Sequence, residues 1–240
     1  MSTKIRVMKS GIAALVLLLI VTAVGPLGIW FPENYGADWG GFLLPSEQSV
    51  LDPLVLQSLS AMEVTERHLR EWHRDFPLAA LRHIWDMHPD TQRSVAAVAR
   101  YIRKQNRAID ARTAWIEAAA FVHYSDKYGV PLDLAVAVGN AESHFNPSSR
   151  SNYGAMGVMQ VVWDIHSHLL QANGIAEPED LYDPDRGVAA GCLLLSRYMR
   201  VSDNTRKALL RYSGGSIETY WNKITRNLSK IREHAVALGL

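Results

Sequence analysis

Apolar positions change character twice along the chain. From Gly11 to Phe31 no charged residue occurs, and Ile12 to Val24 is almost wholly aliphatic. From Pro32 to about Ser49, Gly, Pro, Asn and Ser interrupt the pattern, which predicts a linker. Beyond it the spacing is helical. Leu69, Trp72 and Phe76 form one stripe, and Leu81, Ile84, Trp85 and His88 form a second. Asp90 or Thr91 can cap a helix that carries Val95, Val98, Tyr101 and Ile102. Ala111 to Tyr128 is Ala-rich and ends at Gly129. Pro131 opens a further helix, with Asp133 in its first turn, running to about His144 before Asn146-Pro147 ends it. A polar loop, Ser148 to Gly157, follows, and helices resume near Gln160. No convincing apolar alternation and no internal repeat is visible, so the expected class is mostly α.

The first segment predicts a membrane anchor. At 1.5 Å per residue a helix of this length spans about 30 Å, the thickness of a bilayer core. Lys4, Arg6 and Lys9 precede it while Glu33 and Asp38 follow, so the positive-inside rule leaves the N-terminus in the cytoplasm. Trp30, Phe31, Tyr35 and Trp39 suit the outer interface. A cleaved signal peptide and a buried core helix are the rival readings. Pro26 after the Ala23–Gly25 pair and the length of the apolar run argue against cleavage, and there is no lipobox cysteine.

Composition narrows the chemistry. The chain has 240 residues, is 48% hydrophobic and carries a net charge of +1, so a packed core is available and a nucleic-acid-neutralising protein is disfavoured. The single cysteine, Cys192, lies in a Leu run and reads as a small buried hydrophobe. His68 and His73, His83 and His88, and His166 and His168 lack the i, i+4 spacing of zinc-binding helices, so no metal is expected. The basic run Arg100 to Arg107 reads as a solvated helix face, with help in holding acidic stem peptides as the alternative.

Glu142 is the candidate for acid–base chemistry. Ala135, Val138 and Gly139 share its helix face, so its carboxyl loses hydration, and the helix dipole also disfavours the anion in the last turn. A carboxylic acid kept protonated near neutrality can protonate a leaving oxygen. Taken alone, a solvated glutamate at a helix end is the more ordinary reading. Its surroundings change that balance. Glu142-Ser143-His144-Phe145-Asn146-Pro147 is followed by Ser151, then by Gly154-Ala155-Met156-Gly157-Val158-Met159-Gln160. Further on come Leu181-Tyr182-Asp183-Pro184 with Gly187 and Gly191, and Ala208-Leu209-Leu210-Arg211-Tyr212-Ser213-Gly214-Gly215.

This ordered set resembles the soluble-type (SLT) lytic transglycosylase family of the lysozyme-like superfamily, over roughly residues 112 to 230. The resemblance implies that Glu142 is the acid/base and that Tyr212 hydrogen-bonds and orients it. It implies that Ser151 contacts the substrate's N-acetyl group, that Gln160 lines the sugar cleft, and that Met159 forms apolar wall or packs in the core. Ser143 reads as a supporting residue beside the acid. Gly154 and Gly157 read as turn formers. Ser213 stands where the family has Asn, which leaves its substrate contact in doubt.

The expected architecture is a cytoplasmic tip and transmembrane anchor (1–31), a linker and helical extension (32–111), and a lysozyme-like catalytic domain (112–240) in the periplasm. The expected reaction is non-hydrolytic cleavage of peptidoglycan glycan strands at the MurNAc-β-1,4-GlcNAc bond to 1,6-anhydro ends, with no cofactor. Two alternatives stay open. One is a hydrolysing muramidase with a second carboxylate from among Asp133, Asp164, Asp183 and Asp185. The other is an inactive peptidoglycan-binding subunit of an envelope-spanning secretion or conjugation machine.

Overall fold

Most of the described helices up to residue 143 begin where a side chain or a proline takes care of the first unpaired amides. The computed structural model describes residues 50–240, all within one compact unit. α1 (Pro53–Ala61) starts on Asp52, whose carboxylate accepts from the Leu54 amide at 2.8 Å. α2 (Glu66–Asp75) starts on Thr65, whose amide donates to His68 Nδ1. α3 (Pro89–Gln105) places Pro89 at its first position and His88 at its cap. The cap thus falls earlier than Asp90 or Thr91, because proline has no amide to satisfy and its φ suits the first turn. The stripe Leu81, Ile84 and Trp85 is buried as expected, but as a 3-10 turn, Ala80–His83, not a long helix.

α4 (Ala111–Tyr128) runs from an Asp110 cap to Gly129 at φ 65°, as the Ala-rich pattern predicts. It is the central helix, packed against α3, α5 (Leu132–Ser143) and α7 (Pro184–Arg200). Ala114, Ala118, Ala119 and Ala120 are fully buried, and their small side chains permit that close approach. α6 (Trp163–Gln171), α8 (Thr205–Ser213) and α9 (Ile217–Ala237) complete the helices. A small hairpin, β1 (Ala155–Met156) against β2 (Val161–Val162), pairs Ala155 with Val162 and Met156 with Val161. Strands this short carry no alternation, so the sequence pattern is silent about them, and α6 starts at Trp163 instead of near Gln160.

The described residues are therefore mostly helical. One core runs across the expected boundary at 111/112 without a break, joining Val95, Tyr101 and Ile102 to Trp115, Phe121 and Phe145. Asp185 ties the segment before α3 to the later helices: its carboxylate accepts from the Ala80 amide at 2.7 Å and the Tyr124 hydroxyl at 2.9 Å. Burial pushes its carboxyl up to about 6. The expected membrane anchor at residues 1–31 and the linker up to 49 lie outside the described residues. Among the described residues no helix is long and apolar enough to cross a membrane.

Glu117 on α4 is fully buried, and neither carboxylate oxygen has a hydrogen-bond partner. Burial, with Asp110 adding to it, raises its carboxyl well above the ordinary 4.5. The native state therefore holds a proton that the unfolded chain releases above about 4.5. The stability linked to Glu117 is full below that pH and falls as pH rises towards the native value. Glu117→Met is expected to raise stability at pH 8 by about 1–3 kcal/mol and to flatten its fall between pH 5 and 8. Urea unfolding at both pH values measures this; a variant less stable than wild type at pH 8 would refute it.

Candidate active site

The site is built where α5 stops. Glu142 lies in its last turn, and the helix ends at Ser143, short of the predicted proline break, through two consecutive left-handed residues, His144 (φ 59°) and Phe145 (φ 62°). Such conformations are strained for residues with a side chain and persist only where surrounding contacts enforce them. Here the contacts are visible. Phe145 is fully buried edge-on to Tyr101 and Phe121. The His144 carbonyl accepts from Asn106 Nδ2 at 2.8 Å, and its ring Nδ1 meets Asn140 Oδ1. Ser143 Oγ donates to the Val158 carbonyl at 2.7 Å and accepts from the Asn146 amide at 3.0 Å, which fastens the hairpin loop to the helix end. Its expected supporting role has this physical content.

Beneath Glu142 the chain packs through glycine. A methyl at Gly191 would lie 2.3 Å from Met159 Cβ, and one at Gly139 2.6 Å from the Phe121 ring. Met159 is fully buried in this floor, so of its two readings the packing one describes its side chain. Its carbonyl accepts the Tyr212 hydroxyl at 2.8 Å. Tyr212 thus holds the floor, and the hydrogen bond expected from it to Glu142 comes instead from Tyr220 on α9, at 2.5 Å to Oε1. Tyr212 nonetheless lies close enough for the Glu142 charge to add to the burial that raises its hydroxyl.

Glu142 is mostly buried, and that burial raises its carboxyl above the usual carboxylate range. The Tyr220 hydrogen bond and the Lys223 charge act in the opposite direction. Lys223 Nζ donates to the Ala141 carbonyl, one of those left unpaired at the end of α5. Neither Tyr220 nor Lys223 was among the residues expected from sequence. A signal for Tyr220 does exist: with Ile224, Asn227, Ile231 and His234 it forms the inward stripe of α9.

In the loop, Ser151 Oγ accepts from the amides of Tyr153 at 3.2 Å and Ala155 at 3.1 Å. Both of these are acceptor roles, so its own proton stays available for an acceptor such as an acetamido oxygen. Gln160 (φ 50°) uses Nε2 on the Ser149 and Gly157 carbonyls, leaving Oε1 to accept. Ser213 ends α8, with Oγ 3.4 Å from the Gly215 amide and 3.5 Å from the Leu210 carbonyl, a helix-end role. The structure therefore brings Glu142, Ser143, Met159 and Tyr212 into one connected cluster and gives Ser151, Gln160 and Ser213 local hydrogen-bonding duties around it.

Of the four candidate second carboxylates, Asp133, Asp183 and Asp185 are engaged elsewhere. Asp133 is at the other end of α5, about 13 Å along the axis, and faces Arg232 at 3.9 Å. Asp164 is exposed on α6. Asp183 caps α7 through the Asp185 and Arg186 amides, and Asp185 is spent on Ala80 and Tyr124. Among the described residues no three His, Cys, Asp or Glu side chains are grouped to hold a metal ion.

The loop depends on Gly157. At φ 74°, a methyl there would sit 1.8 Å from the Leu181 carbonyl oxygen. Gly157→Ala is expected to cost about 3 kcal/mol or more, from backbone strain and overpacking together. Urea unfolding of the variant would contradict this geometry if the loss stayed below about 1 kcal/mol.

Residues 119–234 match the family model of the transglycosylase SLT domain. The chain is 30% identical over 103 residues to the "Transglycosylase" of Enterobacteria phage PRD1, covering 43% of this chain and 36% of that protein. It is 27% identical over 99 residues to the "Soluble lytic murein transglycosylase" of Escherichia coli (strain K12), covering 40% of this chain and 15% of that protein. The chain thus spans well under half the length of these relatives. No solved structure shows a significant match.

Proposed function

Because the chain carries a domain of the transglycosylase SLT family, we propose that it is a peptidoglycan lytic transglycosylase with a lysozyme-like catalytic domain and Glu142 as its single acid/base. The observation that carries the reading is Glu142 itself: a carboxyl raised by burial, held by one hydroxyl, at a built helix end. An acid kept protonated by its surroundings is suited to donate to a glycosidic oxygen.

In the proposed reaction the Glu142 carboxyl gives its proton to the oxygen linking N-acetylmuramic acid to the next sugar. The C1–O bond breaks, and the leaving sugar departs with a free 4-hydroxyl. The acetamido oxygen of the same muramic acid stabilises the positive charge at C1, with the Ser151 hydroxyl available to orient that group. Glu142, now a carboxylate, takes the proton from the C6 hydroxyl, and O6 bonds to C1. The ring closes as a 1,6-anhydro end and Glu142 is again protonated. Holding O6 and C1 within one sugar makes ring closure compete with water. The engagement of Asp133, Asp183 and Asp185 elsewhere favours this route over hydrolysis with one of them as a second carboxylate.

We further propose that the 11–31 segment anchors the enzyme in the bacterial inner membrane with its catalytic domain in the periplasm, a reading supported by the charge asymmetry around that segment. Opening of the wall for an envelope-spanning secretion or conjugation complex is a use that fits a tethered lyase.

The test is mass spectrometry of muropeptides released from purified sacculi by the full chain. Anhydro ends are expected from wild type. Glu142→Gln should lower their release at least 100-fold, roughly the contribution of a general acid, while thermal melting stays unchanged. Reducing ends would point to hydrolysis, and wild-type release by Glu142→Gln would remove Glu142 from the mechanism.

A further inference from the structure

α9 lays two side chains three positions apart, and so on one face, against the end of α5. Tyr220 reaches Glu142, and Lys223 reaches the carbonyl of Ala141, the residue immediately before it. These two contacts differ in kind. Tyr220 supplies a neutral donor to the carboxyl group. Lys223 places a full positive charge on a carbonyl that has no partner within the helix, at the negative end of the α5 dipole. Among the described residues, the groups shown to act on or respond to the Glu142 charge are Tyr220 and Lys223 from α9 and Tyr212 from α8. Of these, Lys223 alone is a cation.

We propose that Lys223 is a positioning residue for Glu142: seated on the α5 terminus through the Ala141 carbonyl, its ammonium stabilises the carboxylate that remains once Glu142 has given up its proton. This rests on the reaction proposed above. Glu142 must become an anion at the buried, negative end of a helix, a place that both desolvation and the dipole make unfavourable. Lys223 offsets both effects when the leaving oxygen is protonated. It keeps the acid from becoming too weak to donate, and it leaves the carboxylate stable long enough to take the C6 proton. The Lys223 side chain is largely exposed, so the contribution is that of a partly screened charge.

The test compares Lys223→Met, Lys223→Gln and Lys223→Arg with wild type on soluble glycan strands across pH. Loss of the cation is expected to lower kcat about fivefold with little change in KM, the size of a partly screened ion pair. The basic limb of the rate profile, where protonated Glu142 is lost, should move to higher pH. Arginine should restore both, and high salt should shrink the difference between wild type and the methionine variant. A purely structural role would lower melting temperature without moving the basic limb. Superimposable profiles for wild type and both neutral variants, or failure of arginine to restore the limb, would overturn the proposal. Carbon-13 titration of the Glu142 carboxyl, assigned by its loss in Glu142→Gln, gives a readout independent of turnover. A move to higher pH in Lys223→Met supports the role of Lys223 even in a protein that releases no anhydro ends, and an unmoved titration refutes it.

Discussion

The constraint from which the rest of the site follows is that α5 must stop one residue after Glu142, whose carboxyl is mostly buried. A helix end leaves its last carbonyls without partners, and those removed from water are costly. Here they are met from several directions. Lys223 reaches the Ala141 carbonyl, the Asn146 amide reaches that of Ser143, and Asn106 reaches that of His144. The turn itself needs two residues in left-handed backbone, and neither is glycine. Phe145 accepts that conformation because its ring fills the space between Tyr101 and Phe121. The same arrest directs Ser143 onto the hairpin loop, so the Glu142 carboxyl and the loop that carries Ser151 and Gln160 share one anchor.

A second constraint is thickness. The floor under Glu142 is a contact between α5 and α7 with Met159 between them, and it closes only because Gly139 and Gly191 have no side chain. Met159 then does two things. Its side chain fills the gap, and its carbonyl holds the Tyr212 hydroxyl. That explains why a tyrosine expected at the carboxylate is found one layer below it. α9 crosses at the level of Glu142 and supplies Tyr220 there, while Tyr212 supports the floor on which Glu142 stands.

Much of this was legible in the sequence, and the reasons it was or was not are local. α4 could be read to its end residues because an alanine-rich interior and a terminal glycine agree, and the Asp110 cap fits them. Glu142, Ser143 and the loop to Gln160 could be read together because they lie within one short stretch of sequence. The hairpin was not, since two-residue strands carry no periodicity. Tyr220 was not, because its importance comes from how α9 lies across α5, which is a long-range contact. Lys223 was the least visible of all: on a helix rich in charge, a lysine that touches a backbone carbonyl looks like any solvated one.

The segment before α4 belongs to the same physical argument. The family match begins at residue 119, yet side chains from well before it hold the site in shape. Tyr101 packs on Phe145 and its hydroxyl lies 3.3 Å from Asn140 Nδ2, whose Oδ1 in turn meets His144. Asn106 closes the His144 carbonyl, and His234 from α9 reaches back to the Ala97 carbonyl on α3. Each of these contacts acts on the arrested end of α5 or on the helix that delivers Tyr220 to it. Residues 89–110 are therefore part of what keeps Glu142 in place, and the strained turn at His144 and Phe145 depends on them for its partners. The geometry around Glu142 is a property of the larger helical body and not of the motif alone.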